Sequence, residues 1–353
     1  MVRTVRGKVA RHPDHIIGAG RIVCFGELLL RLSPPGRELL FQGGSLDANF
    51  GGAEANVAIG LSRLGHATTM VSAVPDHAVG QAAVDHVRRH GVDASSILRR
   101  PGRLGLYFLT PGASLRASSI VYDRAGSSFA EADASLFDWP TLLDGAGLLH
   151  LSGITPALGQ RSADMALAAA RAARAAGVPV SFDGNYRASL WQAWDSDPRA
   201  ILSELVGMAD ILFGNHRDVA LLLDKPFDGD GPDRRRIAAE AAFAAFSSLK
   251  LIASTARHVV DADHHRLSAR IDLRDRAHQT DEVAVTGIVD RIGGGDAFAS
   301  GVLHGLIAKG DPAEVARAGL ALAALKHSLP GDASLFGTSD IDAFWEGSLD
   351  VRR

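Results

Sequence analysis

The segment richest in chemistry lies late in the chain, where Asp290-Arg291-Ile292-Gly293-Gly294-Gly295-Asp296-Ala297-Phe298 runs into a helical pattern. Three glycines at a helix start leave backbone N–H groups unobstructed and convergent. Together with the helix dipole, about half a unit charge at that end, they suit anionic oxygens. A carboxylate at the same place repels a phosphate. The useful job for Asp296 is therefore to take a proton from an attacking hydroxyl. The same residues also suit a plain glycine-rich turn with Asp296 as a first-turn cap. No Gly-Lys-Ser/Thr follows, so this is not a Walker A loop, and a Gly-x-Gly-x-x-Gly dinucleotide fingerprint is absent.

Such a site needs elements to hold it. An apolar run over residues 21–32 reads as the first strand, broken by the prolines that follow. Gly51-Gly52 precedes a helix with Val57, Leu61 and Leu64 on one face, stopped by Gly65. Residues 68–74 form a strand, and Asp76 can cap the helix after it. Residues 104–110 and 118–123 read as a β-hairpin around Pro111-Gly112, set apart with residues 31–50 as a small lid. Beyond it, strands at 147–152, 178–183 and 210–213 alternate with helices at 163–176 and 199–208. That alternation predicts α/β architecture with a mostly parallel sheet. Ligands of such sheets bind beyond the carboxyl ends of the strands, which here carry Ser152-Gly153, residues 183–187, Asn215 to Asp218 and the glycine run.

Two segments together resemble the paired signatures of the PfkB (ribokinase-like) carbohydrate kinase family: Gly51-Gly52-Ala53-Glu54-Ala55-Asn56-Val57-Ala58 and the glycine run itself. The resemblance extends from about residue 21 onward. It implies a ribokinase-like three-layer sandwich with a β lid over the sugar, ATP and Mg²⁺ as the reaction's partners, Asp296 as base, and the amides of Gly293, Gly294 and Gly295 as the anion hole. Phe25-Gly26-Glu27, Ser152-Gly153-Ile154-Thr155, Tyr122-Asp123-Arg124 and Asp183-Gly184-Asn185-Tyr186-Arg187 look like 2-keto-3-deoxygluconate kinases. By that likeness Gly51, Gly52, Asn56, Tyr107, Tyr122, Arg124 and Arg187 contact a sugar acid, for whose carboxylate the planar guanidinium offers two-pronged hydrogen bonding. The two tyrosines also suit lid packing, and Arg187 also suits an ion pair with Asp183. Asn215 and Asp218 resemble the family's Asn-x-x-Glu, which holds the water shell of Mg²⁺, although Asn215 could equally be a simple helix cap. Residues 324–327 with Gly331 and Asp332 fall near the adenine by the same likeness.

Two departures matter. Arg291 stands where relatives carry Thr, in a region that helps bind a monovalent cation. A permanent guanidinium there predicts activity without K⁺. Residues 254–258 lack the family's nucleotide-loop glycines, leaving Thr255 and Arg257 as candidate phosphate contacts or ordinary loop residues. His258, His264 and His265 read as solvated loop histidines, and Glu27 has no evident partner.

Composition bounds the rest. At 353 residues, 46% hydrophobic, with a formal charge of −3, the chain suits a globular enzyme, and its net charge gives no hint of a nucleic-acid partner, which would favour a concentrated basic face. The single cysteine, Cys24, forms no intramolecular disulfide, and no apolar run reaches the roughly 18–20 residues that span a bilayer. A cytoplasmic location is expected, with residues 1–20 as a flexible extension. The edges of a β lid invite pairing with a second copy. Competing readings are a kinase for fructose, ribose or a nucleoside, a non-catalytic sugar-acid sensor, and a nicotinamide dehydrogenase. Neutral acceptors would leave Arg124 and Arg187 without a carboxylate.

Overall fold

The computed structural model describes residues 16–229 and 231–347. In strand β1 (Arg21–Phe25), Ile22 and Cys24 face one apolar layer while Val23 and Phe25 face another. A strand covered on both faces reads as continuously apolar, which is why this run shows no polar alternation. The segment expected as one strand over 21–32 is two. The chain turns at residues 26–28 and enters a different sheet as β2 (Leu29–Ser33). There follow β3 (Asp47–Gly51), α1 (Ala53–Arg63), β4 (Thr68–Pro75), α2 (Ala78–Arg89), β5 (Ile97–Arg100), β6 (Gly105–Thr110) and β7 (Ser119–Asp123). His77 rather than Asp76 caps α2.

The alternating stretch comprises α3 (Trp139–Leu143), β8 (Ala146–Ser152), α4 (Gln160–Ala176), β9 (Val180–Asp183), α5 (Ala188–Trp191), α6 (Pro198–Met208), β10 (Ile211–Phe213), α7 (His216–Leu223), α8 (Gly231–Ala245) and β11 (Leu251–Val259). Then come β12 (His264–Leu273), β13 (Ala277–Gln279), β14 (Val283–Thr286), α9 (Gly294–Ile307), α10 (Pro312–Lys326) and α11 (Thr338–Glu346). The main sheet runs β13-β12-β11-β10-β9-β8-β1-β4-β5, with β14 beside β12. Its pairs are parallel from β11 to β5, and β12, β13 and β14 are antiparallel.

Helices α1, α2, α9 and α10 bury their apolar faces on one side of the sheet, and α3, α4, α6, α7 and α8 on the other. The buried alanines of α4, among them Ala163, Ala166, Ala170 and Ala173, let that helix lie close to the strands. A second sheet, β3-β2-β6-β7, pairs β6 with β7 antiparallel, Tyr107 opposite Tyr122. Of the expected N-terminal extension, residues 1–15 lie outside the described residues. Ile16 and Ile17 instead pack on the core, and the Gly18 amide donates to the Gly147 carbonyl at 2.9 Å.

Candidate active site

A cleft of about 780 Å³ lies between the carboxyl ends of the parallel strands and the small sheet. At its floor, α9 starts at the glycine turn. Gly293 has φ +76°, and a Cβ there would collide with the Asp332 carbonyl, so only glycine fits. The amides of Gly293, Gly295 and Asp296 have no acceptor among the described residues, which leaves them free for an anion. The Gly294 amide differs from the expected trio: it turns back to the Arg291 carbonyl at 3.3 Å.

Asp296 sits in the first turn of α9 and lines the cleft. Asn56 Nδ2 donates to its Oδ2 at 2.7 Å, and Oδ1 has no partner among the described residues. Small residues bring the two helices close enough for this contact: Gly60 of α1 faces Ser300 of α9 with no room for a Cβ. Burial pushes the Asp296 carboxyl up to about 8. The Asn56 hydrogen bond opposes that rise, while the charges of Asp183, Asp332 and Glu54 add to it. A group poised near neutrality is what a general base needs.

The family signature before α1 divides between cleft and scaffold. Gly52, with φ +144°, and Asn56 line the cleft. Gly51 does not. It lies buried under the Asp332 carboxylate, which a Cβ would strike, so its role is packing. Glu54 is also buried and accepts hydrogen bonds from the Ser152 amide, the Ser152 hydroxyl and Thr155 Oγ1 at 2.7–3.1 Å. Those bonds explain the polar residues after β8 as a mooring for α1.

The small sheet contributes Tyr107, Tyr122 and Arg124 to the wall. Tyr107 is 5% exposed and its hydroxyl donates to Asp332 Oδ2 at 2.6 Å, so the phenol is already committed. Tyr122 stays half-buried, its ring 6.3 Å from that of Tyr107. Arg124 finds the partner that Glu27 lacked in the sequence: its Nε donates to Glu27 Oε2 at 2.6 Å, both side chains buried. Arg187 is the opposite. It is exposed on the wall, bonds only the neighbouring Tyr186 carbonyl, and makes no ion pair with Asp183 or any other described residue. Asp332, expected near the adenine, instead joins Arg31 and Asp290 beneath the small sheet, with Arg31 Nη1 2.9 and 2.7 Å from the two carboxylates. Nothing in the sequence paired these three, because Arg31 is some 260 to 300 residues from either partner.

On the other side of the cleft lie Asn215, Asp218, Thr255 and Arg257. Asn215 is the N-cap of α7, accepting from the Arg217 amide at 2.8 Å, and Asp218 Oδ2 accepts from the Asn215 amide at 2.7 Å. The cap reading of Asn215 therefore holds, and both residues still line the cleft. Asp183 is pushed up to about 7, chiefly by burial and then by the charge of Asp218, with Arg187 opposing. Burial likewise raises Asp218. Two adjacent carboxylates held reluctantly ionised fit a divalent cation that keeps most of its water. Among the described residues no cluster of three or more His, Cys, Asp or Glu forms an all-protein metal cage. Thr255 and Arg257 belong to a strand, β11, not a loop. Two residues apart, they share its cleft side. Burial and the nearby Arg291 both lower the Arg257 pKa. His265, expected in solvent, is 2% exposed on β12, its ring against His327.

Residues 19–336 match the pfkB family carbohydrate kinase profile. This chain belongs to that family. As a pfkB carbohydrate kinase it transfers a phosphoryl group from ATP to a sugar, and its fold is ribokinase-like. It is 32% identical over 329 residues to a 2-dehydro-3-deoxygalactonokinase of Haloferax volcanii, covering 92% of this chain and 96% of the relative. It is 28% identical to a 2-dehydro-3-deoxygluconokinase of Bacillus subtilis over 88% of this chain and 90% of the relative. The crystal structure of 2-dehydro-3-deoxygluconokinase from Thermotoga maritima superimposes with a TM-score of 0.88 at 36% identity, over 93% of this chain and all of the other. No described helix of this kinase is long and apolar enough to cross a membrane.

Proposed function

We propose that this kinase phosphorylates the terminal hydroxyl of a 2-keto-3-deoxy sugar acid, with 2-keto-3-deoxygluconate as the leading acceptor. The observation that carries the reading is Arg187, a guanidinium facing the same cleft as Asp296 with no carboxylate at ion-pair distance among the described residues. A neutral sugar would leave that fork unused, whereas a carboxylate fits it. The names of the relatives, which span galactonate and gluconate forms, support the same class.

In this reading Asp296 Oδ1 accepts the proton of the sugar hydroxyl as that oxygen attacks the γ-phosphorus of ATP. The bond to the β,γ-bridging oxygen breaks and ADP leaves. Asn56 fixes the carboxylate so that its free oxygen faces the acceptor. The amides of Gly293 and Gly295 stabilise charge on the transferring group without reorganising. Thr255 and Arg257 bind the nucleotide phosphates. Asp218 and Asp183, with Asn215, would hold Mg²⁺ through water, and the ion would supply charge neutralisation on those phosphates. Arg187 binds the carboxylate, and Tyr122 and Arg124 pack the sugar from above. The small sheet acts as a lid that excludes water, a competing acceptor. Its edge strand β7 leaves Val121 57% exposed, which supports pairing of two lids into a homodimer. Light scattering on the purified protein checks that.

The deciding experiment is coupled ADP release across a panel of 2-keto-3-deoxygluconate, its galactonate epimer, gluconate, fructose, ribose and a nucleoside. Selective turnover of the keto-deoxy acids is expected. Preference for a neutral sugar would overturn the assignment, and no release with any acceptor would favour a sensor.

A further inference from the structure

Lys326 closes helix α10 and is 0% exposed. Its ammonium has no carboxylate within ion-pair distance among the described residues. Nζ donates instead to two main-chain carbonyls, that of Leu329 at 3.0 Å and that of Asp290 at 3.4 Å. Burying an ammonium costs several kcal/mol even after relaxation, so an arrangement that retains one needs a compensating role. Converging backbone carbonyls are also the donor set with which proteins replace the water shell of K⁺.

What the ammonium touches gives the role. Every polar atom of Asp290 is held. Its amide donates to the His327 carbonyl at 3.3 Å, its Oδ1 accepts from the Ile292 amide at 2.9 Å, and its Oδ2 accepts from the Gly331 amide at 3.1 Å and lies 2.7 Å from Arg31. Lys326 holds the remaining atom, the carbonyl oxygen. Three residues further on, the chain reaches Gly293 and the open amides. Burial lowers the Lys326 pKa and Arg31 adds to that, while the charges of Asp290, Asp332 and Asp296 oppose the fall and favour the protonated amine. Arg291, whose charge was expected to serve as a permanent cation here, lines the cleft wall near Arg257.

We infer that Lys326 is a positioning residue whose ammonium serves as a built-in monovalent cation, locking the 290–293 turn so that its amides stay aimed at the transferring phosphoryl. The inference rests on the kinase reading only for its rate arm. In ADP-release assays, the wild type is expected to run equally in K⁺ and in choline. Lys326→Met should lose turnover by about tenfold or more in choline, in line with misplacing oxyanion donors. K⁺ or NH₄⁺ should restore much of that loss, whereas Li⁺, smaller and more tightly hydrated, should not. The loss should fall on kcat more than on KM for the sugar.

A thermal-melting arm needs no activity: K⁺ or NH₄⁺ should raise the melting temperature of Lys326→Met over choline and leave the wild type unmoved. Strong K⁺ stimulation of the wild type would overturn the inference, and so would a soluble Lys326→Met variant that no cation rescues in either arm. If the wild type released no ADP with any acceptor, the kinase reading alone would fall and melting would judge Lys326. If Lys326→Met did not fold, the wild-type comparison of K⁺ with choline would decide.

Discussion

Two carboxylates flank the glycine turn in opposite surroundings. Asp332 lies against the Arg31 guanidinium and the Tyr107 hydroxyl, sealed under the small sheet. Asp296 has a neutral amide, Asn56, on one oxygen and no partner among the described residues on the other. Both are raised by burial and by neighbouring carboxylates, but at Asp332 the cations Arg31 and Lys326 oppose the rise, whereas at Asp296 the opposing contact is the neutral Asn56 amide. The difference teaches that position beside an anion hole does not make a base. A paired carboxylate holds structure together, and one denied a cation keeps a usable affinity for a proton.

Substitutions can break that contrast. The largest effect is expected at Asp296: Asp296→Asn should lower turnover by on the order of 10²–10⁴ with sugar binding little changed, measured by ADP release and by calorimetric titration of the sugar acid. Near wild-type turnover would remove Asp296 from the mechanism. Asp332→Asn should do the reverse. Leaving part of the Arg31 charge unmatched should destabilise the fold by about 3 kcal/mol, read from urea unfolding, while turnover falls far less than in Asp296→Asn. Arg187→Met comes next, with KM for the sugar acid rising by about tenfold or more and kcat nearly unchanged, because a binding contact shared by ground and transition states is lost.

The smallest effects are in pH dependence. With Asp296 at about 8, kcat/KM of the free enzyme should fall as the pH drops below that value, because the base must be ionised. Asn56→Ala removes a bond that lowers this pKa, so the acid limb should move upward. Stability carries the same signature with a defined sign. The folded pKa lies above the unfolded value of about 3.9, so the wild type should lose stability as the pH rises from about 4 to about 8. Asp296→Asn should flatten that slope in denaturation curves taken across the window.

Several helical starts and stops were legible because they are local, although the cap of α2 fell on His77 and not on Asp76. Asp311 and Glu314 form a capping box with Pro312 at the first helical position of α10, and Gly65 follows α1 with φ +85°. The alternation of strands and helices after residue 146 was legible for the same reason. Residues 21–32 were not, since β1 and β2 are both apolar and nothing local marks that the chain changes sheets between them. Residues 254–258 misled in the other direction: polar side chains on a strand facing a cleft look like a loop. In the site, Asp296 and its glycines were legible from composition at a helix start. The partners of Arg124, Arg31 and Lys326 were not, because each lies across the fold.

The sequence by itself determined the family, the glycine turn and the acid that follows it, since short-range spacing and helix-start chemistry are written in consecutive residues. Only the tertiary structure decided which charged groups are spent and which are free: Arg124 on Glu27, Arg31 between two aspartates, Lys326 on carbonyls, Arg187 in no ion pair among the described residues. The physical reason is that a charge's role depends on its distance to other charges and to water. Those distances are set by packing between segments that the chain order leaves far apart.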